Sequence, residues 1–369
     1  MSAQSGARRA RRFSTLSTVA AVVLAYLAAA EVVLRFLPVA TGLHSVAVDP
    51  AQPIFHFEPD FDFVYSHGWN LRDVVRGRVN NAGWVNGQDY AQADPAPLIA
   101  VVGDSYIEAQ MLPYAETMQG RLAAALNGRF RVYSFAASGA PLSQFPVYAG
   151  YAVREFGASA VVINLANYDF AGGDAAYNRP AGMWVYEGGG DDRQLRLIPY
   201  HPGRLRAAVR YSALARYLLF NLRLDRPLTA ARLVADLAPT RTAVAAEAGG
   251  TRLAAAEAVA RAFFRDLPRL VNLPPARVLF VLDGFRYPER AAAEAGGYDD
   301  RLRRYFRALA DTAGYGIVDL DPLFFARHRA DGAIFEVPGD PHWNSAGHAV
   351  AAAAVLGSRL IADLPGPPR

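Results

Sequence analysis

The stretch 101-VVGDSYIEAQ-110 decides how the chain reads. The apolar run from Pro97 to Val102 has the composition of a buried strand. It ends on Gly103-Asp104-Ser105. That ending is either an ordinary turn or a turn that presents a serine hydroxyl at the edge of a sheet. The neighbouring segments choose between the two.

From residue 97 onward, strands and helices alternate. "PLIAVV" (97–102), "FRVYSF" (130–135) and "ASAVVINLA" (158–166) read as strands. A helix over "AETMQGRLAAALNG", stopped by Gly128, separates the first two. A mostly helical "LSQFPVYAGYAVREFG" separates the second and third. The alternation breaks over about 171–250 and resumes with a helix near 252–267. Then come strand "RVLFVL" (277–282), a helix near 299–313, strand "GIVDL" (316–320) and a last helix after 345. Strands alternating with helices predict a parallel sheet covered on both faces. In such a sheet, ligands sit beyond the carboxyl ends of the strands. Ser105, Asn167 and Asp283 follow three of those ends, and "GDPHWNSAGH" (339–348) is the loop before the last helix.

A serine hydroxyl becomes a useful nucleophile when a base takes its proton. His342 is the leading base, with Asp340 placed to orient the ring and stabilise its cation. A tetrahedral oxyanion needs hydrogen-bond donors. The backbone N–H groups of Ser105 and Gly139 and the side-chain amide of Asn167 are the candidates. Asp104 reads as a brace for the turn, and His348 as structural. A metal site built from Asp340, His342 and His348 lacks a second ligand cluster, so neither a metal nor a cofactor is expected.

Composition narrows the chemistry. The 369 residues contain no cysteine and no lysine. Thiol nucleophiles, disulfides and Schiff-base chemistry are therefore excluded. Four arginines fall in the first twelve residues, leaving 34 against 34 acidic residues elsewhere. That balance offers no basic face for nucleic acid.

Those four arginines precede an apolar run from Phe13 to Leu37 that is interrupted only by Glu31 and Arg35. A helix there is long enough to span a bilayer, which takes about 20 residues. The arginines place its start in the cytoplasm and the rest of the chain outside. Glu31 and Arg35 pair four residues apart, and Pro38 stops the helix. A signal peptide processed at Ala28-Ala29-Ala30 is the alternative, but apolar residues run on past that point. The expected organisation is a basic leader (1–13), a membrane anchor (14–38), an irregular lead-in (39–96) and a main domain (97–369) with an insertion at about 171–250. Tyr177, Trp184 and Tyr186 in that insertion read equally as a sugar-stacking rim or as its own small core.

Gly103-Asp104-Ser105, Gly139, Asn167 and Asp340-Pro341-His342-Trp343-Asn344-Ser345-Ala346-Gly347 occur in that order, with strands between them. Together they resemble the four blocks of the SGNH, or GDSL, hydrolase superfamily, over about 97–170 and 252–363. The resemblance implies a three-layer α/β/α fold with a five-stranded parallel, flavodoxin-like sheet, here preceded by one N-terminal transmembrane helix. It implies ester hydrolysis or acyl transfer through an acyl-serine, without metal. Carried over, Ser105 is the nucleophile, His342 the base and Asp340 its orienter, with Ser105, Gly139 and Asn167 forming the oxyanion hole. Two departures stand out. Asp340 precedes His342 by two residues, where the family commonly has three, and Tyr168 separates Asn167 from Asp169. The expected partners are an acylated carbohydrate or other ester substrate, and the membrane through the N-terminal helix, with the main domain in the periplasm or outside the cell. A non-catalytic envelope protein that binds polysaccharide or a partner, and a lipase-like esterase with the insertion as a lid, are the rival expectations.

Overall fold

The computed structural model describes residues 2–166, 170–224 and 244–364. These form two compact units. One gathers 2–42, 63–76 and 203–224; the other holds 43–62, 77–166, 170–202 and 244–364.

The larger unit is built on five parallel strands: β1 (Leu98–Gly103), β2 (Arg131–Ala136), β3 (Ala158–Leu165), β4 (Val278–Leu282) and β5 (Gly316–Asp319). Their order is β2-β1-β3-β4-β5. Every residue of β1 and β4 is buried, as continuous apolar runs demand in a sheet covered on both sides. The register aligns the strand ends: Gly103 lies opposite Ala136, Leu165 opposite Leu282, and Leu282 opposite Asp319. Whatever follows those residues emerges along one edge.

Helices cover the two faces, making the three-layer α/β/α arrangement expected from the alternation. On one face Ile99, Val101, Val162, Leu279 and Val281 pack with Met118 and Leu122, Phe324, and Ala351 and Val355. These belong to helices Met118–Ala125, Asp321–Asp331 and Ser345–Leu356. On the other face Phe135 meets Phe156 of helix Phe145–Phe156 at 5.5 Å between ring centroids. Phe280 meets Phe263 at 5.9 Å and Phe306 at 5.1 Å. Burying each such ring or leucine stabilises the fold by about 1.5–3 kcal/mol.

Strand β2 is an edge, and edge strands carry unpaired backbone groups. Part of the lead-in covers this one. The Tyr90 hydroxyl donates to the Ser134 carbonyl at 2.7 Å and accepts the Ser134 N–H at 2.8 Å. The Gln88 amide donates to the Val132 carbonyl at 2.6 Å. Trp84, fully buried, stands edge-on to Phe135 and Tyr148.

In the smaller unit, helix α1 (Ser2–Arg35) contains a 21-residue apolar stretch, Thr15–Arg35, of mean hydropathy 2.0 with none of it buried. By length and composition that stretch can cross a membrane. The expected Glu31–Arg35 pair forms at 2.8 Å. Glu31 also accepts the hydroxyl of Ser212 and the backbone N–H groups of Ala213 and Leu214, at 2.8–3.1 Å. The stretch 171–250 is therefore divided. Residues 171–202 go with the sheet, including a hairpin of Trp184–Glu187 and Gln194–Leu197, while 203–224 go with α1.

Candidate active site

Ser105 opens a one-turn helix, Ser105–Glu108, directly after β1. The reversal is sharp, and Gly103 permits it: a Cβ there would lie 2.5 Å from Ile107 Cγ1. Asp104 caps the turn, its carboxylate accepting the Tyr106 N–H at 3.0 Å. Burial pushes the Asp104 carboxyl up to about 6. Its role is the brace that its position suggested.

The loop before helix Ser345–Leu356 brings His342 to the same edge. Its Nε2 lies 2.7 Å from Ser105 Oγ, and its Nδ1 hydrogen-bonds Asp340 Oδ1. The same carboxylate oxygen accepts the His342 backbone N–H at 3.0 Å. That second bond explains the two-residue spacing. An Asx turn folds Asp340 back over its own loop and sets the carboxylate against both main chain and ring. With a carboxylate at Nδ1, that nitrogen carries the proton, and Nε2 is left to accept from the serine O–H. Gly339, at φ +75°, supplies the preceding bend. After the loop, Asn344 caps helix Ser345–Leu356 by accepting from Ala346 and Gly347 N–H.

A buried guanidinium holds this loop against the serine helix. Arg286 binds Asp283 through Nε at 2.9 Å and also through an Nη. It donates to the Pro341 carbonyl at 2.6 Å and to the Tyr106 hydroxyl at 2.8 Å. Tyr106 donates to the Pro341 carbonyl at 2.9 Å, and its ring lies 4.7 Å from that of His342. Trp343, fully buried, donates its indole N–H to Asp283 at 2.5 Å. The backbone around Arg286 is unusual. Gly284 and Arg286 take φ of +77° and +70°, and Asp321 accepts the N–H groups of Phe285 and Arg286 at 2.6 and 3.0 Å. Asp283 was noted at its strand end. Arg286 was missed, because an arginine after Asp-Gly-Phe resembles any exposed turn residue. No local pattern marks the pair, since Asp283 and Arg286 lie in a loop and not on a helix face.

On the other side of Ser105 a cavity of about 240 Å³ opens. Ser105, Gly139, Leu142, Phe145, Leu165 and Phe170 are among its walls. Gly139 has φ +78°, and its loop is tied to the serine helix by Glu108. That buried carboxylate accepts the Ser138 N–H at 2.7 Å, the Ser138 hydroxyl at 2.6 Å and the Gln110 amide. Burial raises the Glu108 carboxyl above the ordinary range. Glu108 too escaped sequence reading, since a glutamate one turn into a helix is ordinarily solvated. Asn167 lies outside the described residues.

His348 turns away from this edge. It is buried, its Nδ1 accepts the Met118 N–H at 3.0 Å, and burial pulls it down to about 3, so it stays neutral. Of the insertion aromatics, Tyr186 is buried, Trp184 is half-buried with its indole N–H on the Pro53 carbonyl, and Tyr177 is exposed.

No protein-family model matches the chain, and no curated protein matches it in sequence. Solved structures do resemble it. A member of the lipolytic G-D-S-L family from Veillonella parvula is 12% identical, with a TM-score of 0.36, covering 73% of this chain and 100% of its own. A catalytic mutant of Axe2, an acetylxylan esterase from Geobacillus stearothermophilus, is 11% identical, with a TM-score of 0.37, over 73% and 96%. The protein TesA is 14% identical, with a TM-score of 0.35, over 71% and 99%. The chain is thus similar to GDSL-type lipolytic proteins and acetylxylan esterases at low identity.

Proposed function

We propose that this chain is a serine esterase or O-acyltransferase, held in the bacterial inner membrane by α1. It removes or transfers a short acyl group, such as acetyl, on a cell-envelope carbohydrate outside the cytoplasm. The observation that carries the reading is the Ser105–His342–Asp340 chain, with Nε2 2.7 Å from Oγ and the carboxylate on Nδ1. Ser105 Oγ attacks the ester carbonyl carbon as its proton passes to His342 Nε2. Asp340 stabilises the imidazolium that forms. The Ser105 and Gly139 N–H groups and the Asn167 side chain are the proposed donors to the tetrahedral oxyanion. Collapse of that intermediate breaks the ester C–O bond, and the imidazolium returns the proton to the leaving alkoxide. Water or a sugar hydroxyl then attacks the acyl-serine by the same route in reverse.

The cavity beside Ser105, about 240 Å³ and lined by Leu142, Phe145, Leu165 and Phe170 among others, has room for a short acyl group. The carbohydrate is proposed on the membrane tether and the family resemblance alone. Full-length protein should hydrolyse p-nitrophenyl acetate and take a fluorophosphonate on Ser105, read by peptide mass spectrometry. Ser105→Ala should lower kcat by about 10⁴–10⁶-fold. Wild-type protein that neither labels nor turns over any acyl ester or acetylated glycan would sink the reading. Product analysis with and without an oligosaccharide acceptor separates transfer from hydrolysis.

A further inference from the structure

The outer end of α1 is surrounded by side chains that folded proteins usually cover. Phe36 is 85% exposed, Trp69 76% and Tyr211 74%. Leu37, Val74 and Leu224, on the same three segments, are exposed as well. Exposed large apolar side chains gathered in one small unit mark a surface with a partner.

These residues are fixed to the helix end. Phe36 follows Arg35, the last residue of α1. The Tyr211 carbonyl accepts from the Arg35 guanidinium at 3.2 Å. The Trp69 carbonyl accepts from the Tyr217 hydroxyl at 2.7 Å. Tyr217 directly follows the one-turn helix Ala213–Arg216, whose first N–H groups Glu31 holds. Asn221 closes the arrangement, accepting the Ala40 N–H at 3.1 Å and donating to Ser66 Oγ at 2.8 Å. Wherever α1 leaves a bilayer, the Trp69 and Tyr211 segments leave with it.

Charge points the same way. Residues 31–42, 63–76 and 203–224 hold eight arginines against two carboxylates, Glu31 and Asp73. Glu31 is already engaged by Arg35 and by Ser212–Leu214. Arg72, Arg76 and Arg204 face solvent. The rest of the chain beyond its leader has no such excess.

We propose that this unit is an interfacial collar that seats on an anionic phospholipid surface around the exit of α1. The proposal rests on the reading that α1 spans the membrane. Trp69, Tyr211 and Phe36 lie at the boundary between headgroups and acyl chains, where amphipathic rings are favoured. The arginines pair with lipid phosphates, an attraction that anionic lipid strengthens and salt screens. The occupant is lipid rather than a protein because the patch directly follows a membrane-length helix and its segments carry eight arginines against two carboxylates.

The test uses the full chain in lipid nanodiscs containing phosphatidylcholine brominated just below the headgroup, with and without phosphatidylglycerol. The four tryptophans are 69, 84, 184 and 343, and none lies in α1. Trp84 and Trp343 are fully buried, and Trp184 is half-buried within the larger unit with its indole N–H on the Pro53 carbonyl. Bromine should therefore quench wild-type emission through Trp69, and Trp69→Phe should abolish that loss while p-nitrophenyl acetate hydrolysis stays unchanged. Quenching should deepen with phosphatidylglycerol and recede in high salt. Absent quenching, quenching that Trp69→Phe leaves intact, or quenching indifferent to anionic lipid and salt would each overturn the collar. So would an unquenched Trp69 in discs holding two copies, which would assign the patch to a second copy of the chain. Carbonate extraction of native membranes reads the anchor separately. Release there would sink the spanning reading, whereas a chain that resists extraction and shows no quenching would sink the collar alone.

Discussion

Ser105 stands between two loops that are held in different ways. The His342 loop arrives from 237 residues further along the chain. It is secured by a buried guanidinium whose partners come from β4's exit, the serine helix and the loop itself. The Gly139 loop lies close in sequence and is secured by one carboxylate, Glu108, carried on the serine helix. The distant loop closes a long stretch of chain, so its anchor must be strong and desolvated. Its charge-assisted bonds are the stronger kind, but they expose the fold to a large penalty when one partner is removed. The nearby loop needs only to be kept from drifting. Damage to the first anchor should therefore cost stability and rate together, and damage to the second mainly rate.

The largest effect within this comparison belongs to Asp340. Asp340→Asn should lower kcat on p-nitrophenyl acetate by about 10³–10⁴-fold, because the amide no longer fixes the Nδ1–H tautomer. Its stability should change little, since Asp340 and His342 side chains are only 22% and 21% exposed but lie in a loop anchored elsewhere. A urea midpoint that collapses with Asp340→Asn would show that the pair itself holds the loop.

Arg286 comes next. Arg286→Met leaves Asp283 buried without its counter-charge and should cost about 3–5 kcal/mol of stability in urea unfolding. Adding Asp283→Asn should restore much of that stability. It should not restore kcat, because the Tyr106 hydroxyl still lacks the guanidinium donor and the Pro341 carbonyl keeps only one of its two donors. A double variant that recovers stability and rate together would reduce Arg286 to a packing element and erase the proposed contrast between the two anchors.

How much of this was legible depended on whether the signal was local. The five strands were visible because a strand buried on both faces must be apolar throughout, and "LIAVV" and "VLFVL" are. Ser105 and His342 were visible because short blocks of distinctive composition surround them. Arg286 and Glu108 were not, because their meaning lies in partners reached through the fold and not in their neighbours. The 171–250 stretch read as one insertion. Its division was hidden because Glu31, 181 residues before Ser212, decides where that segment goes. The two-residue gap between Asp340 and His342 became intelligible only when the Asp340 carboxylate was seen to accept the His342 backbone N–H.

The smallest effect, and the sharpest probe of the second anchor, is Glu108→Gln. The glutamine keeps the shape but offers one carbonyl oxygen where the carboxylate accepts three donors. The Ser138–Gly139 segment should loosen, lowering kcat by about 10-fold with KM unchanged. That is well short of the ~10²–10³-fold loss from deleting an oxyanion donor. The difference should also depend on pH in a stated direction. Burial raises the Glu108 carboxyl above its ordinary range, so the folded state takes up this proton at higher pH than the unfolded chain does. The glutamate's contribution to stability therefore falls as pH rises through that window, and the stability advantage of the glutamine grows with it. Activity runs the other way. As pH falls and wild-type Glu108 becomes neutral, wild type comes to resemble the variant and their kcat ratio approaches one. A ratio constant across the acid range would mean that the charge on Glu108 does not hold the Gly139 loop, and the two sides of Ser105 would then differ only in distance along the chain.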